Sequence, residues 1–340
     1  MNVPVWVWAV TVVAILAMLA VDYVGHVRTP HAPSLREATR WSIVYVAIAV
    51  VFGLIVWAVW GGQYGGEYFA GYITEKSLSV DNLFVFVLIM TSFRVPREYQ
   101  QKVLLIGITI ALVMRAGFIA AGAALIANFS WVFYLFGAFL IWTAIAQARH
   151  KDEGEEFKEN AVLRLTRRVL PTTDSYVGDK MIAKVDGKRF VTPMLIVMIA
   201  IGSADLLFAV DSIPAIFGLT QETYLVFTAN AFSLLGLRQL YFLIDGLLDR
   251  LVYLNYGLAA ILGMIGVKLL IHALHTNELP FINGGEHVEA VPEISTPVSL
   301  GFILVVLTVT TIASLRRDRA DRRAAAAEMT APTHPTKDAE

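Results

Sequence analysis

The chain contains no cysteine. Without a thiolate it has no disulfide framework, no sulfur nucleophile and none of the soft-ligand sites that select Cu(I) or structural zinc. Charge is scarce as well: Asp, Glu, Lys and Arg make up 16% of the 340 residues, against about 25% in soluble domains. A net charge of −1 lacks the basic surplus of a nucleic-acid binder. No Walker-type phosphate loop appears, and neither HExxH nor a Ser/His pair lies in the apolar stretches, so nucleotide chemistry and embedded catalysis are both unexpected. Hydrophobic residues are abundant instead, at 57%, which excludes intrinsic disorder and exceeds the soluble norm of about 45 to 50%. A soluble chain of this length would divide into roughly two domains; this composition points to lipid.

Crossing a bilayer as a helix takes about 20 apolar residues. Nine stretches qualify, near 3–24, 41–60, 68–92, 103–127, 130–146, 192–219, 223–244, 251–274 and 296–315. The first has no preceding Lys or Arg and no clear cleavage site, so it reads as an anchor that stays. Of the 27 Lys and Arg, four lie inside spans: Lys76, Arg115, Arg238 and Lys268. Every other one falls in loops on a single side, ten of them in the 147–190 loop. Short basic loops stay in the cytoplasm, so the N-terminus is expected outside and the C-terminus in the cytoplasm.

The fold class expected is an all-α polytopic membrane protein with about nine transmembrane helices and two inverted three-helix repeats. Its parts are two N-terminal helices (1–64), a first repeat (65–146), a cytoplasmic loop (147–190) with a short amphipathic helix at 157–170, a second repeat (191–275), an acidic extracytoplasmic loop (276–295), a last span (296–315) and a disordered basic tail (316–340). The repeat rests on charge spacing. Glu75, Asp81 and Asn82 in the third span align with Asp205, Asp211 and Ser212 in the sixth, and Arg115 and Arg238 follow in the next spans. Inverted repeats place transporter sites near the midplane.

A carboxylate or ammonium at bilayer depth costs roughly 2.5 to 3.5 kcal/mol by insertion scales. Residues six apart on an unbroken helix point about 120° apart, so the two acids of each motif require a helix break or two separate surfaces. Pro214 offers a break beside Asp211, and the acids are expected to meet across the helix crossing. One reading has them neutralise Lys76, Arg115 and Arg238 as structural charge partners. The other has a cation or proton site, because four carboxylates outnumber three bases and buried pairs seldom add stability. Oxygen ligands suit Mg²⁺, Ca²⁺ or Mn²⁺. Met90, Met114, Met194, Met198 and Met264 offer softer ligands but read first as packing. The loop with Glu278, Glu286, Glu289, Glu293, His272, His275 and His287 reads as an ordinary acidic loop.

At EKSLSVDNLFVF (75–86), ADLLFAVDSIPAIFG (204–218) and ANAFSLLGLRQLYF (229–242) the chain strongly resembles the TerC family of bacterial integral membrane proteins, over roughly residues 65 to 275. The resemblance implies Mn²⁺ efflux, within a wider superfamily related to the lysine exporters. By it, Glu75, Asp81, Asn82, Asp205, Asp211 and Ser212 form the metal path. The expected function is divalent metal export by alternating access, with Mn²⁺ as cargo, no permanently bound cofactor, and the bilayer and the ion as partners. The rivals are an embedded enzyme, a non-transporting assembly scaffold and a tellurium-resistance determinant.

Overall fold

A computed structural model of the chain describes residues 1–27, 33–149, 172–173, 176–185, 188–244, 253–288 and 291–330. Helix α1 (Val5–Asp22) runs into a π-helical turn (Tyr23–Val27), followed by α2 (Leu35–Trp60), α3 (Gly62–Ser92), α4 (Arg97–Asn128) and α5 (Val132–Arg149). A hairpin of β1 (Ile182–Val185) and β2 (Lys188–Val191) precedes α6 (Pro193–Phe217), α7 (Thr223–Leu235), α8 (Leu237–Ile244), α9 (Leu254–His275), a 3-10 turn (Asn283–Gly285) and α10 (Thr296–Thr330). Seven of these segments are long and apolar enough to cross a membrane: α1, α2, α4, α5, α6, α9 and α10. The chain is an all-α polytopic membrane protein.

The two other expected spans differ for separate reasons. Helix α3 has 31 residues, ample length, but carries Glu67, Glu75, Lys76 and Asp81. The stretch 223–244 is divided at Gly236 into helices of 13 and 8 residues. Helix division therefore occurs here and not at Pro214, because α6 is one helix from Pro193 to Phe217. Pro214 lies in the last turn of α6, where little helix remains to be divided, and the chain leaves the helix at Gly218.

Helix ends also shift. Helix α2 starts six residues before the apolar stretch because Ser34 caps it: its Oγ accepts the Glu37 N–H at 3.2 Å, within the Ser-Leu-Arg-Glu order of a capping box. Helix α10 continues to Thr330 where a disordered tail was expected from 316. Its Ala324 to Ala327 run has the highest intrinsic helix propensity. The proposed helix at 157–170 lies outside the described residues. What is described of the 147–190 loop includes the unforeseen hairpin, with Ile182 opposite Val191 and Val185 opposite Lys188. It is tied to the helices by Lys102, whose ammonium donates to the Asp179 carboxylate at 2.7 Å, and by the Tyr176 hydroxyl donating to the Phe93 carbonyl at 2.9 Å. The Lys102 hydrogen bond holds the Asp179 carboxyl below its ordinary range, and burial pushes the Tyr176 phenol up to about 12.

The helices sort into a shell and a centre. More than three quarters of the apolar windows of α1, α2 and α10 stay uncovered, whereas half or more of those of α4, α6 and α9 are buried. Apolar side chains exposed along whole helices are the surface a bilayer covers. In the centre α5 packs on α9, α4 on α6 and α3 on α7. The α5–α9 crossing is tight: a Cβ on Gly137 would lie 2.9 Å from the Gly266 carbonyl oxygen, and one on Gly266 would lie 3.0 Å from that of Gly137. Small residues permit this approach where lipid supplies no hydrophobic driving force between helices. Met90, Met194 and Met198 are fully buried in the apolar core, the packing role expected of them.

Candidate functional site

Helices α3, α4 and α6 converge on Arg115, which is completely buried. Its guanidinium fork grips Asp205 from α6, with Nε donating to Oδ2 at 2.7 Å and Nη2 to Oδ1 at 3.1 Å. Its Nη1 donates to Glu75 Oε1 of α3 and, at 3.3 Å, to Ser212 Oγ. Asp205 and Ser212 reach one guanidinium because seven residues are two helical turns. Ser79, four residues after Glu75, donates to the same Glu75 oxygen at 3.4 Å. The bidentate pair and two further acceptors, Glu75 Oε1 and Ser212 Oγ, give the guanidinium four hydrogen bonds. One atom of the cluster is left over: Glu75 Oε2 is buried and has no hydrogen-bond partner.

Glu75, Asp205 and Ser212 thus come together across helices, through a base on a third helix. The remaining expected residues lie apart. Asp211, six residues beyond Asp205, is half-buried on another surface of α6, and among the described residues no base forms an ion pair with it. Asp81 accepts from the Gln147 side-chain amide of α5 at 3.1 Å. Asn82 is buried with its Nδ2 unpartnered. Among the described residues no three His, Asp or Glu side chains converge closely enough to cage a metal ion.

The expected structural bases divide. Arg115 pairs with both acids of its own layer. Arg238 of α8 does not: it donates to Asp22 Oδ1 at the end of α1 at 3.0 Å and to Gln101 Oε1 of α4 at 2.8 Å. Gln239 adds a hydrogen bond to Asp22 at 3.4 Å. Lys76 donates to the Ser233 carbonyl oxygen at 3.0 Å. Sequence reasoning passed over Asp22, although a lone acid closing an apolar span was the available signal.

Also passed over was Glu67, eight residues before Glu75 on α3. It lines a cavity of ≈ 800 Å³ bounded by the start of α3, the ends of α6 and α9 and the start of α10. Its Oε2 accepts from Thr220 at 2.6 Å and its Oε1 from Gln63 at 3.0 Å. Lys268, His272, Glu222 and Glu293 line the same space. There His272 meets Glu293 at 3.2 Å through Nδ1 and Gln221 at 2.7 Å through Nε2. Eight residues of helix rise about 12 Å, so the cavity floor and the Arg115 cluster are two turns apart. Between them Gly71 packs against Ile216 and Ala229, where a Cβ would have neighbours at 3.3 and 3.4 Å.

Residues 60–322 match the Integral membrane protein TerC family. The chain is 56% identical to "Uncharacterized membrane protein Rv2723" of Mycobacterium tuberculosis over 302 residues, covering 88% of this chain and 76% of that one. It is 38% identical to "Uncharacterized membrane protein STKORF319" of Myxococcus xanthus, covering 87% and 89%, and 37% identical to the "Putative membrane-bound redox modulator Alx" of Escherichia coli K12, covering 78% and 85%. No solved structure matches the chain. The family match takes in α3 to α9 and every carboxylate described around Arg115, and the chain belongs to the TerC family of integral membrane proteins.

Proposed function

We propose that the chain exports a divalent metal cation, Mn²⁺ foremost, from the cytoplasm across the bacterial plasma membrane, and that it is a transporter and not an enzyme. The carrying observation is a charge imbalance. Glu75, Asp205 and Asp211 stand at membrane depth near one guanidinium, and Arg115 pairs with the first two alone. The other two candidate partners are engaged elsewhere, Arg238 by Asp22 and Lys76 by the Ser233 carbonyl oxygen. Among the described residues Asp211 is therefore a membrane-embedded acid without an ion pair, next to the Ser212 that touches Arg115. Acids so placed are functional by default, and their oxygens suit a hard cation.

Three further observations support the reading. The Lys and Arg of the loops gather on one side in the nine-span reading, which favours an outside N-terminus and a cytoplasmic C-terminus. By that orientation the cavity of Glu67, Glu222 and Glu293 opens outward, an acidic exit above a closed layer at Gly71. Packing also agrees with an inverted repeat: exchanging the repeats turns the α3–α7 contact into α6–α4, and α5–α9 into itself. Alternating access would rock one repeat on the other so that Asp211, with Glu75, Asp205, Asp81, Asn82 and Ser212 along the path, faces each side in turn. Proton competition for these carboxylates would assist release outward.

The complete pairing of Glu75 and Asp205 with Arg115 favours a second reading, a non-transporting scaffold whose acids fix helix register. As for the redox role in the printed name of the Escherichia coli relative, a chain without cysteine has no thiol of its own to exchange. Cellular metal content under Mn²⁺ challenge separates exporter from scaffold. Deletion and Asp211→Asn should both raise cellular Mn with other metals steady and with Asp211→Asn at normal membrane levels. Unchanged Mn in both sinks the exporter and leaves the scaffold.

A further inference from the structure

The chain between α9 and α10 folds into two consecutive turns. In the first, the Ile282 N–H donates to the Leu279 carbonyl oxygen at 3.0 Å, with Pro280 at the second position, where its fixed φ suits the bend. The second is closed by the Gly285 N–H on the Ile282 carbonyl oxygen at 2.9 Å, and its central residues, Asn283 and Gly284, have positive φ of 49° and 68°. Asn277, 1% exposed, ties both turns together: its Nδ2 donates to the Ile282 and Glu286 carbonyl oxygens at 2.7 and 3.2 Å. So fastened, the segment holds Phe281 at the tip of the first turn, and that ring is 81% exposed.

The same segment is coupled to the connection between α4 and α5. Ser130 donates to Glu278 Oε2 at 3.0 Å, and the Tyr134 hydroxyl of α5 donates to Asn277 Oδ1 at 3.2 Å. Phe129 and Trp131 flank Ser130; both are exposed, and their ring centroids are 6.1 Å apart. Phe281, Phe129 and Trp131 thus stand on two coupled connections at the end of the bundle where α4 and α9 finish and α5 begins. Leu125 and Leu135, four residues inward of Phe129 and Trp131, are exposed as well, so the rings prolong the apolar surface that lipid covers on α4 and α5. Aromatic rings at the ends of spans sit where hydrocarbon meets headgroups. No Lys or Arg occurs between Lys268 and Arg316, which leaves no base here for an anionic headgroup.

We propose that the turn bearing Phe281 is a membrane-interface anchor whose partner is the lipid surface: the ring seats at the boundary of headgroups and acyl chains, beside Phe129 and Trp131. Burial of the ring holds it there and charge does not, because the segment carries Glu278 and Glu286 and no base. Anionic lipid and low salt therefore do not strengthen the seating. The segment runs on to Glu293 at the wall of the cavity, so the bilayer steadies the stretch of chain that borders the cavity. None of this depends on what the chain transports.

Because the chain has no cysteine, a single introduced thiol carries a nitroxide to one position. The full chain, labelled at Phe281→Cys in nanodiscs of phosphatidylcholine with or without phosphatidylglycerol, is compared with Leu135→Cys on the lipid face and Lys184→Cys on the exposed hairpin. Collisions are measured with oxygen, which favours hydrocarbon, and with a neutral nickel chelate, which favours water. The oxygen-to-nickel ratio at 281 should lie nearer that at 135 than that at 184, and should not rise with phosphatidylglycerol or at low salt. A ratio equal to that at 184 overturns the proposal, as does a ratio that rises only with phosphatidylglycerol. Protection from both reagents overturns it too, since that is the mark of a protein or a second copy seated on the turn. The label replaces the ring, so hydrogen exchange is followed in chains that keep or remove it. Phe281→Ser should speed amide exchange across 277–286 about tenfold, the equivalent of partial burial of one ring, with α4 and α9 unchanged; Phe281→Trp should not. Equal exchange in all three chains overturns the anchor. No metal transport enters either readout, so the failure of the anchor and that of the exporter are distinguishable.

Discussion

Arg115 and Arg238 hold aligned places in two repeated stretches of sequence, and both are buried, yet they keep different company. Arg115 meets two carboxylates and a hydroxyl, with Asp211 close by and unmatched. Arg238 meets one carboxylate, Asp22, and one glutamine, Gln101, and its charge is balanced. A balanced buried pair fixes where helices sit, here α1, α4 and α8. An unbalanced one leaves charge for a mobile ion to answer. The difference separates a fastening from a site, and the inverted arrangement by itself would not.

Removing one partner from a buried pair strands a charge, at about 3 to 5 kcal/mol. Arg115→Met strands two carboxylates and should therefore show the largest effect, a loss at or above the top of that range, read as a drop in unfolding midpoint and in folded yield. Neutralising the stranded acids as well, with Glu75→Gln and Asp205→Asn, should recover most of it. Equal stability of Arg115→Met and the intact chain would remove the pairing from any structural account.

Arg238→Met strands one carboxylate that still accepts from Gln239, so a loss nearer 2 kcal/mol is expected, the scale of hydrogen bonds to charged groups. Its metal export per folded molecule should equal that of the intact chain. Export lost with normal stability would erase the contrast between the two arginines. Asp211→Asn should do the reverse: stability within about 1 kcal/mol, and export down about tenfold or more, the cost of one charged ligand worth about 1.4 kcal/mol.

The Lys102–Asp179 pair sharpens the comparison from outside the centre. With the Asp179 side chain 42% exposed, solvent screens it, and Asp179→Asn should cost less than about 1 kcal/mol. Its pH dependence has a definite sign. A carboxyl held below its unfolded value, about 3.9, contributes its full stabilisation above that pH and loses it as pH falls through the lower folded value. Hydrogen exchange of the 182–191 hairpin should be flat from pH 5 to 8 after correction for intrinsic rates. The difference between the intact chain and Asp179→Asn should close below about pH 4. A difference that instead grew on acidification would assign the tie to another group.

How much could be read in advance varies by residue. Seven spans followed from apolar length alone, since a helix crossing lipid must satisfy its backbone internally. The meeting of Glu75 and Asp205 at one base was legible as acids needing partners in lipid, and their separation from Asp81 and Asp211 as the 120° that six residues impose. Pro214 misled because a proline divides a helix only where helix continues beyond it. The actual division at Gly236 had no local signal, because glycine there makes room for Lys76 and Tyr45, neighbours distant in sequence. Asp22 and Glu67 were legible as acids and unreadable as partners of Arg238 and Thr220.

By itself the sequence determined that this chain lives in lipid, which side its bases prefer, and which acids stand at membrane depth, because transfer from water to hydrocarbon acts on each segment independently. Only the tertiary structure decided which arginine answers which acid and where helix carbonyls lie open. Those outcomes depend on which helices touch, and the α4–α6 and α3–α7 contacts join residues such as Arg115 and Asp205, 90 positions apart, and Lys76 and Ser233, 157 apart, beyond the reach of any local pattern.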